Sequence, residues 1–96
     1  MSHLETLIKQ AKKQDKKAMQ SLIIQFKPLL KRQARQFYLM GLEYDDAYQQ
    51  AALIFILSIY QYQERPAIPF AGYIKKRIHW GLWSYWRKQK NSLMTD

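Results

Sequence analysis

The side chains best suited to engage a ligand crowd into one stretch, FAGYIKKRIHWGLWSYWRKQK, residues 70–90. It holds all three tryptophans, six lysines and arginines, and no acid. Cations interleaved with large aromatics suit nucleic acid: the cations track phosphates, while ring faces stack on unpaired bases at roughly 1–3 kcal/mol per base. Other chemistry finds no footing. The two histidines, His3 and His79, have no nearby carboxylate, and no nucleophile–base pair or metal-ligand spacing can be assembled. The chain therefore reads as a binding protein, not an enzyme, with no metal or cofactor expected.

The elements that must position this stretch are helices. In 96 residues with three glycines and three prolines, apolar residues recur at helical spacing throughout. Ser2-His3-Leu4-Glu5 forms a capping box for a first helix to about Lys13. Asp15 caps a second, which carries Met19, Leu22, Ile23, Phe26, Leu29, Leu30, Ala34 and Phe37 on one face. Pro28 should kink or split it, and Gly41 ends it. A third runs from about Asp45 to Tyr62. Its middle, AALIFIL, is apolar on nearly every side, as for a central helix with neighbours all round. After the loop QERPAIP, Pro69 sits in the first turn of a fourth helix. The expected fold is a compact all-α domain of four helices over residues 1–96, with Leu53, Phe55, Ile56, Phe70, Ile74 and Ile78 mutually buried.

Turned at about 100° per residue, the last helix puts Phe70, Tyr73, Ile74, Ile78, Gly81 and Tyr85 on a core side. Lys75, Lys76, His79, Trp80, Trp83, Trp86, Arg87 and Lys90 fall opposite, with Trp83 at the centre of the basic face. On this reading Trp83→Ala costs little stability. The bland alternative tucks one or two of the rings, Trp80 or Trp86 first, under a neighbouring helix.

Charge is segregated along the chain. Residues 1–35 hold nine Lys/Arg against two acids (+7); residues 36–64 hold four acids and no Lys or Arg (−4); residues 65–96 hold seven Lys/Arg against one acid (+6). Such segregation points to a polyanion-binding surface and a separate neutral-to-acidic one, rather than to solubility alone. The absence of cysteine, of a signal peptide and of an apolar run near 20 residues suits a soluble cytoplasmic protein.

YDDAYQQAALIFILSIYQYQ followed by FAGYIKKRIHWGLWSYWRKQKN resembles the second conserved region of bacterial sigma factors, and the preceding helices extend the likeness to residues 4–91. The chain is also similar to helix-turn-helix-like regulators of conjugative elements and to partial sigma factors. The resemblance implies that Asp46, Gln49 and Gln50 bind the clamp coiled coil of core RNA polymerase. It implies that Tyr62, Tyr73, Lys76, Arg77, Trp80, Trp83, Arg87 and Lys90 bind promoter minus-ten DNA, in single-stranded form, with Tyr62 and Tyr73 lining the pocket for a flipped base. Plainer roles exist beside these: Asp45 and Asp46 as helix N-terminal caps, Tyr62 and Tyr73 as core.

The chain departs from the family pattern in two places. Gln50 stands where the family has glutamate, and Lys76 and Arg77 stand where primary sigma factors have tandem tryptophans. No domain for the minus-thirty-five element follows, so the expectation is either a fragment or a second subunit that supplies it. The competing functions are a general DNA- or RNA-binding regulator of a mobile element, and a protein-interaction module acting on a sigma factor.

Overall fold

The computed structural model describes residues 3–63 and 68–94. They form an all-α domain: α1 (His3–Lys12), α2 (Lys16–Tyr38), α3 (Tyr44–Gln61) and α4 (Phe70–Met94). The capping box begins at Ser2, which lies outside the described residues, as do four residues of the loop before α4. No helix among the described residues is long and apolar enough to cross a membrane.

Helix ends are set by local chemistry. At the end of α1, Gln14 takes the left-handed conformation (φ 67°). Its N–H donates to Ala11 O (2.9 Å) and that of Asp15 to Gln10 O (3.1 Å), closing a Schellman motif. Asp15 at once caps α2, its Oδ1 accepting from the N–H groups of Lys17 (3.0 Å) and Ala18 (3.2 Å). The corner at Gly41 repeats the device. Gly41 (φ 111°) donates to Tyr38 O (3.0 Å) and Leu42 to Phe37 O (3.0 Å), with Leu42 and Phe37 both buried.

Pro28 does not split α2, which is continuous from Lys16 to Tyr38. Position 28 lies on the exposed face, so the carbonyl deprived of its donor can reach water. Pro69 precedes α4 rather than sitting within it, its carbonyl accepting from the Tyr73 N–H (3.1 Å).

α2 touches all three other helices, and α3 packs between it and α4. The core is built from stripes at four-residue spacing: Ala47, Ala51, Phe55 and Ile59 of α3, and Phe70, Ile74, Ile78 and Leu82 of α4. These meet Leu22, Leu30, Ala34 and Phe37 of α2. Phe26 joins the helices, its ring centroid 5.4 Å from both Phe55 and Phe70. Of the expected core set, Phe55, Phe70, Ile74 and Ile78 are buried. Leu53, however, is 50% exposed and Ile56 is only partly covered. α3 is flanked rather than surrounded, because the domain has no further helix among the described residues to cover its outer side.

Gly81 sets the distance between α3 and α4. A methyl group there would lie 2.5 Å from Ile54 Cδ1 and within 3.2 Å of its Cγ atoms. Gly81→Ala should therefore lower stability by about 1–3 kcal/mol in urea denaturation, as overpacking does. Ile54→Ala in the same chain should recover part of the loss.

Candidate nucleic-acid and polymerase interfaces

Gly81 lets α4 lie close to Ile54, and around this contact α3 and α4 line an open groove of about 820 Å³. Its floor and apolar wall come from Ile54 and Leu57, Ile68 and Pro69 close one end, and Tyr73, Lys76, Arg77 and Trp80 rise from α4. Two of these side chains are held in place by α3. The Tyr73 hydroxyl donates to Ser58 O (3.2 Å), and Arg77 Nε donates to Ser58 Oγ (3.5 Å). Arg77 Nη2 also donates to Gln61 Oε1, and its guanidinium lies 5.8 Å from the Tyr73 ring centroid. Trp80 is 59% exposed, its ring set edge-on to His79 at 5.4 Å. His79 in turn packs on Phe37, which accounts for that histidine as a structural residue.

Tyr62 lies beneath this groove. It is 8% exposed, packs edge-on to Phe70 at 5.0 Å and meets Tyr73 at 5.1 Å. Its hydroxyl donates to Ile68 O (3.3 Å), and its carbonyl accepts from Lys12 Nζ. Tyr62 thus supports Tyr73 from below, and Tyr73 presents the accessible ring.

The remaining basic and aromatic residues form a second cluster further along α4. The Trp83 and Trp86 rings lie 5.2 Å apart, tilted at 33°, Lys90 Nζ lies 4.9 Å over the Trp86 ring, and Arg87 is exposed beside them. Trp83 is not turned away from the core, as its place on the helical wheel suggests. It is half-buried and packed against the core, as is Trp86. The reason lies at the α2–α3 corner, where Met40 O accepts a 2.9 Å hydrogen bond from Trp86 Nε1 and brings that corner onto this end of α4. The ring left in the open is Trp80.

On α3, Asp46, Gln49 and Gln50 occupy one turn, and the same stripe continues through Leu53, Leu57 and Tyr60. Gln49 is exposed, Asp46 and Gln50 are half-buried, and both leucines are 50% exposed. The helix N-cap is Glu43, which makes no side-chain capping bond. Asp46 is engaged elsewhere: its Oδ2 accepts a 2.6 Å hydrogen bond from the Tyr85 hydroxyl of α4.

That bond raises the Tyr85 pKa above its ordinary value near 10, and burial pushes the same way. A raised pKa favours the neutral phenol in the folded chain. The stabilisation is therefore complete below about pH 10 and lost as pH rises through the folded pKa. Urea denaturation across this alkaline window should show the wild type losing more stability than Tyr85→Phe, which cannot ionise.

Leu53, Leu57, Ile54, Gly81 and Tyr85 are not singled out as surface or site residues by sequence reasoning. The stripe from Asp46 to Tyr60 is present as spacing, but the apolar run AALIFIL reads as core and conceals it.

The structure thus brings together a basic aromatic groove between α3 and α4 and a polar-to-apolar stripe along α3. The family model for sigma-70 region 2 matches residues 22–92, and the chain belongs to that family. It is a sigma-factor-like, DNA-binding domain with a role in transcription initiation, in a family of non-enzymatic transcription-factor domains. Searches of curated proteins and of solved structures gave no match.

Proposed function

We propose that the chain binds core RNA polymerase through the Asp46–Gln49–Gln50 turn of α3 and opened promoter minus-ten DNA through α4. The observation that carries this reading is the α3–α4 groove, where exposed Trp80 stands beside Lys76, Arg77 and Tyr73. A flat ring in reach of cations can stack on an unpaired base while the cations hold its phosphates. Tyr73, propped by Tyr62 and Ser58, is the second ring available to an extruded base, and the groove has room for one. Arg87 and Lys90, the latter over the Trp86 ring, extend the phosphate track along α4. Gln50 leaves one fewer negative charge towards a basic clamp than the family's glutamate would, and exposed Leu53 and Leu57 offer apolar contact beside it.

The test uses the purified chain with core RNA polymerase and two labelled DNAs of one AT-rich sequence, one fully paired and one with an internal bubble. The chain should co-purify with the polymerase, and together they should retain the bubble in preference to the duplex. Equal retention of both DNAs without any polymerase association would favour the general nucleic-acid binder.

A further inference from the structure

The +7 charge of residues 1–35 is not used by either interface described above. We infer that the outer face of α2 is a second nucleic-acid surface, one that binds the backbone of duplex DNA without reading its sequence. Lys27, Lys31 and Arg35 stand at four-residue intervals, so they form a row with about 6 Å of axial rise between neighbours. Lys17 falls on the same face a further ten residues back, making a track of about 27 Å. All four residues are exposed, and none of their side chains has a hydrogen-bond or ion-pair partner among the described residues.

A solvated face kept only for solubility would be expected to mix charge signs. Here no aspartate or glutamate occurs from residue 16 to residue 42. The pairs Lys27/Lys31 and Lys31/Arg35 are like charges at i, i+4, each opposing the helix. A polyanion laid along the row removes that repulsion and releases its own counterions. The choice of DNA over an acidic protein rests on the sigma-like reading, since such a domain already works on DNA. The row has no aromatic between Lys27 and Arg35 on which a base could stack, which favours a paired backbone over a single strand.

The experiment measures binding of a labelled G·C-rich duplex without a promoter-like element, at salt from 50 to 200 mM. The triple variant Lys27→Gln/Lys31→Gln/Arg35→Gln should flatten the slope of log affinity on log salt by about 2.7, at about 0.9 per phosphate contact. Over that fourfold salt range the loss of affinity should shrink about 40-fold. Binding of an AT-rich single strand should be unchanged, which separates this surface from the α4 groove. In parallel, Trp80→Ala should weaken the single strand and leave the duplex slope as it was. Failure of that arm alone sinks the groove and spares α2. The three single variants, each lowering the slope by about 0.9, keep the test valid if the triple variant folds poorly. An unchanged duplex slope overturns the inference. So does loss of binding to polyglutamate with the duplex unaffected, which would assign the face to an acidic protein.

Discussion

Trp80→Ala should reduce affinity for an AT-rich single strand about 5- to 150-fold, the equivalent of the roughly 1–3 kcal/mol that base stacking supplies. The slope of log affinity on log salt should hardly move, because a neutral ring displaces few counterions. The thermal midpoint should also stay close to wild type, since the side chain is 59% exposed and deleting it opens no cavity. Trp83→Ala should behave in the opposite way. That ring is half-buried against Trp86 and the core, so its removal should cost about 2 kcal/mol, less than a fully buried tryptophan. In a domain of this size that lowers the midpoint by about 10 °C. Parallel thermal melts and fluorescence anisotropy titrations of the two variants decide the matter. A stable Trp83→Ala with weakened DNA binding, beside a Trp80→Ala that binds normally, would return Trp83 to the centre of the DNA face and remove the groove from the mechanism.

Asp46→Asn with Gln49→Ala should abolish co-purification with core RNA polymerase while DNA binding by the free chain is retained. Asparagine is the informative replacement at 46. It removes the charge yet keeps an oxygen able to accept from the Tyr85 hydroxyl, whereas alanine would also break the 2.6 Å bond between α3 and α4. Tyr85→Phe is the matching control: it breaks the bond and leaves the carboxylate in place. If α3 is the polymerase face, Tyr85→Phe still co-purifies and the double variant does not. Retention of the polymerase by a folded double variant would remove the Asp46–Gln49–Gln50 turn as the polymerase contact, and the sigma-like mechanism with it. Leu53→Ala and Leu57→Ala extend the experiment along the same stripe, each expected to weaken the association without loss of fold because both side chains are half in solvent.

The sequence alone determined the four helices and most of their limits. Those features are local: Asp15 can cap only the helix that follows it, Gly41 alone among its neighbours takes φ 111° without strain, and buried stripes follow from residue spacing. It also determined that basic and aromatic residues share α4 and that acids gather at the start of α3, since composition along one helix needs no partner to be read. The tertiary structure decided which side chains of those helices are available. A helical wheel gives an angle, but the exposure at that angle depends on what the rest of the chain places there. The Met40 corner reaches the end of α4, so Trp83 and Trp86 are covered while Trp80 stands in the groove. No helix among the described residues covers the outer side of α3, so Leu53, apolar enough for a core, is surface, and Leu57 opens onto the groove. Asp46 meets Tyr85, 39 residues away in the chain, through a contact that neither residue's neighbours announce. The close approach of α4 to Ile54 at Gly81, both of which line the groove, is likewise a tertiary contact that the glycine alone does not announce.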